Sequence, residues 1–278
     1  FDGAVIGRKG AKLGPTAIRE AFRYLGGWDP DAGQSLKGLR IHDAGDAPVE
    51  AGVLATHKVV QAHLAQLTKL GKPLVVLGGD NSLSYPTFRA LQEAYGGKWG
   101  LIVIDAHYDL RPYEGEPTSG TPYRRILEEA PGQPLHPRNL VEVGIRAYAN
   151  APSLANYAKE KGVHIVSRGQ VRDWGIAKVV AFALEHATAG VDHLMLSVDI
   201  DALDQSIASG CSAPGADGLT FHEAATLVNA VARHPKCRAM DLVEVAPELD
   251  PTGNTSRTAA QLVAAFAPGL HARLGTSK

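Results

Sequence analysis

Short, almost wholly apolar runs recur along the chain, separated by longer amphipathic stretches. The runs are 73–77 (PLVVL), 101–104 (LIVI), 140–143 (LVEV), 163–166 (VHIV), 194–198 (LMLSV) and 240–245 (MDLVEV). Runs of four to six residues with little polar alternation predict strands covered on both faces. Apolar positions at helical spacing predict helices over 15–25, 51–70, 85–95, 153–161, 177–187, 221–234 and 258–274. Gly71, Gly96, Gly162 and Gly190 follow four of these as C-caps, and Pro15 after Gly14 opens the first. Strands alternating with helices predict an α/β fold in three layers, a parallel sheet flanked by helices. No repeat, low-complexity tract or linker interrupts the pattern, so 1–278 is expected to form a single domain.

Four of the predicted strands run into polar clusters. The first continues as Gly78-Gly79-Asp80-Asn81-Ser82, the second as Asp105-Ala106-His107-Tyr108-Asp109 and the fifth as Asp199-Ile200-Asp201-Ala202-Leu203-Asp204; the last carries Glu244. The long stretches 111–138 and 202–219, rich in Gly, Pro, Ser and Thr, also follow strands, and open α/β sheets bind ligands at such ends. A spacing of two along extended chain places Asp105, His107 and Asp109 on one face, and Asp199 and Asp201 on another. Four carboxylates converging on one region would repel and resist burial unless divalent cations neutralised them. One imidazole among hard oxygen donors suits Mn(II) or a similar borderline ion, and bridging carboxylates suit a two-metal site. Asp204 reads as a loop aspartate supporting the site rather than a ligand.

Composition narrows the picture. Lys plus Arg number 28 and Asp plus Glu 29, so no basic surplus points to nucleic acid or an anionic membrane. No apolar run is long enough to span a bilayer, and no signal peptide is evident. Cys211 and Cys237 form no metal motif and are expected as free thiols in a reducing compartment, hence a cytoplasmic protein. The other histidines, His57 among them, scatter and read as surface or packing residues. Gly78-Gly79 lacks the spacing of a phosphate loop.

Gly78-Gly79-Asp80-Asn81, Asp105-Ala106-His107-Tyr108-Asp109 and Ser197-Val198-Asp199-Ile200-Asp201, in that order, resemble the GGDH, DAHxD and SxDxD motifs of the ureohydrolase (arginase-like) family. The resemblance runs from Gly10-Ala11-Lys12-Leu13-Gly14-Pro15 to Asp241-Leu242-Val243-Glu244-Val245-Ala246-Pro247. It implies an arginase-like fold whose first strand would lie before Phe1. It also implies a homo-oligomer, trimer or hexamer, and two Mn2+ per subunit. One metal would take Asp105, Asp109, Asp199 and position 81; the other would take Asp105, His107, Asp199 and Asp201. A hydroxide between them would be the nucleophile, Asp109 would carry its proton to the leaving nitrogen, and Glu244 would pair with the substrate's cationic amidine or guanidine group. Position 81 is Asn where most members have His. An amide oxygen is the weaker ligand, so the first site is expected to be weak.

Within the family, Asp109-Leu110-Arg111-Pro112, Ser119-Gly120-Thr121-Pro122-Tyr123 and Ser212-Ala213-Pro214 are similar to the formimidoylglutamase branch. That branch hydrolyses N-formimidoyl-L-glutamate to L-glutamate and formamide in histidine breakdown. Arg111, Arg124, Arg125 and Arg146 are candidates for the substrate carboxylates, because guanidinium grips carboxylate in a bidentate fork. Tyr123, near where arginases carry a catalytic-loop histidine, is a further substrate candidate. Two alternatives stand beside this reading: a ureohydrolase releasing urea from a guanidino compound, and a non-catalytic relative that binds or assembles.

Overall fold

The computed structural model describes residues 1–30 and 33–275, with backbone alone at 34 and 271–275. Among these residues are strands β1 (Trp28–Asp29), β2 (Gln34–Ser35), β3 (Leu74–Leu77), β4 (Trp99–Ile104), β5 (Leu135–Ile145), β6 (His164–Ser167), β7 (His193–Asp199) and β8 (Cys237–Val243). The helices are α1 (Gly14–Phe22), α2 (Val53–Thr68), α3 (Ser84–Tyr95), α4 (Pro122–Glu129), α5 (Pro152–Lys161), α6 (Arg168–Trp174), α7 (Ile176–Ala187), α8 (Phe221–Arg233) and α9 (Asn254–Gly275).

β1 and β2 form a small antiparallel hairpin. The other six strands make one parallel sheet in the order β3-β8-β7-β4-β5-β6. Its central strands are largely apolar because both faces are covered: every residue of β4 is buried. Ile102 and Ile104 pack with α1, α7, α8 and α9 on one face; Leu101 and Val103 pack with α3, α4 and α5 on the other. α2 lies outside α3, joined through Val60, Leu64 and Ala90. The three-layer expectation therefore holds. The eight-residue α4, inside the stretch read as a long loop, and α6 were not predicted; both are short, and the apolar period of α4 (Tyr123, Ile126, Leu127) spans little more than one turn.

The chain leaves β4 toward β5 and β6, then returns to place β7 on the other side of β4, followed by β8. The C-terminal ends of β4 and β7 thus form a topological switch point, where open parallel sheets leave a crevice. Ile104 pairs with Val198, which sets Asp105 and Asp199 side by side at that crevice.

Close packing of the second layer rests on Gly100 in β4. A methyl there would overlap the Ala187 carbonyl oxygen at the end of α7. Gly100→Ala is expected to destabilise the protein by about 3 kcal/mol or more, measured as a lowered urea midpoint at unchanged slope. No helix among the described residues is long and apolar enough to cross a membrane. Cys211 and Cys237 are both buried and not joined by a disulfide.

Candidate metal centre

The ligand candidates converge, but not by strand alternation. β4 ends at Ile104, and the next residues turn: the Asp105 side chain accepts from the His107 backbone N–H at 2.6 Å, and Asp109 sits at φ 47°. Asp199 likewise accepts from the Asp201 N–H at 2.8 Å. These aspartate turns, rather than extended chain, aim the side chains inward. Asp109 and Glu244 (φ 66°) both hold left-handed backbone that costs non-glycine residues energy, a feature that gathers at functional sites.

Two groups of ligand atoms result, each lying within 4.8 Å: Asp105, His107 and Asp201, and Asp105, Asp109 and Asp199. Asp105 belongs to both. His107 Nδ1 stands 3.1 Å from Asp201 Oδ2 and 3.6 Å from Asp105 Oδ1. All four aspartates are buried. Burial and the neighbouring Asp109 and Asp201 raise Asp105 well above the usual carboxylate range; burial and Asp201, Asp105 and Glu244 do the same to Asp199. Burial brings Asp109 to about 6. Burial also opposes charge on His107, but Asp201 and Asp105 outweigh it and lift the imidazole to about 11. A cluster so short of positive charge draws in protons. Its four carboxylates and one imidazole fit a pair of hard or borderline divalent cations, which would neutralise it without leaving a buried charge unpaired.

Around this cluster the structure sorts the remaining candidates. Glu244 is 1% exposed; its Oε1 accepts from the Asn81 backbone N–H at 2.8 Å, while Oε2 makes no hydrogen bond of ordinary geometry. Burial and Asp80 raise its pKa. Arg111 packs over Gly120, bonds its carbonyl through the backbone, and lends its charge to Asp109; among the described residues no hydrogen bond or ion pair holds its guanidinium. Arg146 instead staples two loops, donating to the carbonyls of Asp201 at 3.2 Å and Ala213 at 3.1 Å.

Tyr123, Arg124 and Arg125, all expected against substrate, do not share a face. They lie in α4, where successive side chains point about 100° apart. Tyr123 is fully buried beneath the cluster. Arg124 pairs with Glu128 at 3.1 Å and covers the Tyr157 ring at 4.3 Å. Arg125 pairs with Glu129 at 3.0 Å, stacks 3.7 Å over Tyr85 and bonds His57 Nδ1 at 3.1 Å.

Asn81 borders the same cluster. Its amide nitrogen, not its oxygen, faces the cluster, donating to Asp109 at 2.7 Å and Asp105 at 3.3 Å. Two carboxylates facing one amide call for a donor, and the nitrogen supplies it.

Sequence reasoning passed over Asp241 and Glu142. Both are buried, and none of their carboxylate oxygens makes a hydrogen bond of ordinary geometry. Burial lifts Asp241 to about 6, moderated by the Ser197 and Ser84 hydroxyls it faces. Burial and the charges of Asp105 and Asp109 raise Glu142 well above its usual range. The signal was present as single acids within the apolar runs LVEV and MDLV.

Residues 1–267 match the Arginase family. A formimidoylglutamase of Bacillus subtilis (strain 168) is 34% identical over 275 residues, covering 97% of this chain and 83% of that protein. The crystal structure of formimidoylglutamase from Bacillus subtilis subsp. subtilis str. 168 superposes with a TM-score of 0.92 at 31% identity, covering 97% of this chain and 84% of that one. Trypanosoma cruzi formiminoglutamase with Mn2+2 superposes with a TM-score of 0.90 at 28% identity, covering 98% of this chain and 91% of that one. With its carboxylate-rich centre at the sheet's switch point and these matches along nearly its whole length, the chain belongs to the arginase family.

Proposed function

We propose that this protein is a manganese-dependent formimidoylglutamase, hydrolysing N-formimidoyl-L-glutamate and water to L-glutamate and formamide. The observation that carries the reading is the pair of ligand groups sharing Asp105, with an uncommitted guanidinium, Arg111, beside them. Asp105, His107, Asp109, Asp199 and Asp201 would hold the metal pair. Bound there, manganese supplies a nucleophilic hydroxide at neutral pH by drawing the pKa of water from 15.7 toward about 7.

The chain's own groups do the rest. Glu244 Oε2 accepts the N–H of the cationic formimidoyl group and sets its carbon toward the cluster. Arg111 takes a substrate carboxylate in a bidentate fork, which favours this doubly acidic substrate over a guanidino compound with a cationic tail. Asp109 accepts a proton at a carboxylate oxygen and returns it to the leaving nitrogen as the tetrahedral carbon collapses. The same proposal covers one catalytic domain over 1–278, a homo-oligomer of three or six chains, and a cytoplasmic location.

Incubating Mn-loaded protein with N-formimidoyl-L-glutamate and following glutamate tests the reaction. Urea release from a guanidino substrate instead would move the protein to another branch, and no turnover at full metal occupancy would reject an enzymatic role. Glu244→Gln, which keeps the acceptor for Asn81 but loses the charge, is expected to lower kcat/KM about 100-fold at unchanged metal content.

A further inference from the structure

His57, in α2, is buried, and both of its ring nitrogens are engaged. Nδ1 lies 3.1 Å from a guanidinium nitrogen of Arg125, and Nε2 lies 3.0 Å from Ser82 Oγ. Arginine donates and never accepts, so Nδ1 is the bare nitrogen and the ring proton sits on Nε2. Burial and the charge of Arg125 push His57 down to about 3, so the ring stays neutral and keeps this tautomer. Nε2–H therefore donates to Ser82 Oγ, and the one hydrogen of that hydroxyl goes to Asp80 Oδ1, 2.5 Å away. The direction of the whole chain is set at its Arg125 end. There, Glu129 at 3.0 Å and the Tyr85 ring at 3.7 Å fix the guanidinium.

The other end reaches the candidate site. Asp80 is fully buried; its Oδ1 also accepts from the Ser82 N–H at 3.0 Å, and its Oδ2 from the Ala4 N–H at 2.9 Å. Its carboxylate thereby caps the turn that carries Asn81. The Asn81 backbone N–H holds Glu244 Oε1 at 2.8 Å, and the Glu244 N–H bonds the Gly79 carbonyl at 2.8 Å. Turn and glutamate are thus tied at two points.

We propose that His57 is a positioning residue for the reaction: fixed by Arg125, it turns the Ser82 hydroxyl onto Asp80 and so holds the turn at 78–82 that seats Glu244 against the substrate's cation. This rests on the role given to Glu244 above. With the other tautomer, Nε2 would accept the only hydrogen Ser82 has, and Asp80 would lose one of its donors. Arg125, expected to grip a substrate carboxylate, serves the site through this imidazole instead.

A cavity of about 330 Å3 opens beside His57 and Arg125, lined also by Lys58 and Tyr85, and gives an added ring a way in. In His57→Ala the bonds to Arg125 and Ser82 are both lost, and kcat/KM of the Mn-loaded protein is expected to fall about 10-fold, mostly through KM. Added imidazole accepts at one nitrogen and donates at the other, and is expected to restore most of the loss. 1-Methylimidazole fills the same space without an N–H and is expected not to; each ring is compared with wild type in the same solution. A role in packing alone would be rescued by either ring. No loss in His57→Ala, or equal rescue by the two rings, would overturn the proposal while leaving the reaction standing. The ring 15N shifts of histidine-labelled wild-type protein, assigned with His57→Gln, serve if His57→Ala does not fold. They are expected to show a bare Nδ1 and a protonated Nε2, and a proton on Nδ1 would overturn the relay. Wild-type protein that turned over no N-formimidoyl-L-glutamate would remove the reading of Glu244, and the positioning role with it, whatever the tautomer.

Discussion

Asp105→Asn is expected to empty both metal positions and to lower turnover by about 1,000-fold or more. Asp105 is the one residue common to the two ligand groups, it is fully buried, and it lies against Asp199 at the switch point. An amide of the same shape keeps the turn, because its oxygen still accepts from the His107 N–H. The charge that balances two cations is nevertheless gone. Asp201→Asn touches one ligand group alone and should spare the other. Metal content per chain, measured beside glutamate release, separates the two cases. If Asp105→Asn retained two tightly bound ions, Asp105 would not bridge them.

Removing the metal should invert the pH dependence of stability. Without metal, Asp109 and Asp241 titrate at about 6, burial being the main cause for each, against an ordinary 3.8. Between these values the folded protein holds more protons than the unfolded chain. Its stability therefore falls as pH rises through that window, with a slope of up to about 1.4 kcal/mol per pH unit for each carboxyl. Asp105 and Asp199, also raised by burial and by their acidic neighbours, contribute to the decline in the same direction. Bound metal keeps its ligands ionised and competes with protons, so the loaded protein should gain stability over the same range. Near neutral pH, metal at about 1,000 times its Kd contributes about 4 kcal/mol, which corresponds to roughly 10 °C in Tm. Thermal scans at pH 4.5, 6 and 7.5, with chelator and with Mn2+, read both effects. Parallel profiles with and without metal would mean that the buried aspartates are not where the metal binds.

These expectations draw unequally on sequence and structure. The apolar runs predicted all six strands of the parallel sheet because burial on both faces writes a continuous local signal. The acids and histidine that follow β4 and β7 were legible for the same local reason: ligands at strand ends stand beside the runs that position them. Which side chains face the site was not legible. Tyr123, Arg124 and Arg125 looked equivalent along the chain until α4 wound them onto different faces. Arg111 stood out once its rivals had found partners in Glu128, Glu129 and the loop carbonyls. Asn81 was readable as a departure from histidine, but the direction of its amide depends on Ser84, Tyr123, Asp105 and Asp109, drawn from three separate segments. By itself the sequence determined the fold class, the six strands of the parallel sheet and which acids and histidine follow them as candidate metal ligands, because these are written in local periodicity and in residue order. Tertiary structure alone decided which arginine stays uncommitted and which atom of Asn81 meets the carboxylates, because hydrogen-bond direction is settled by partners brought together only when the chain folds.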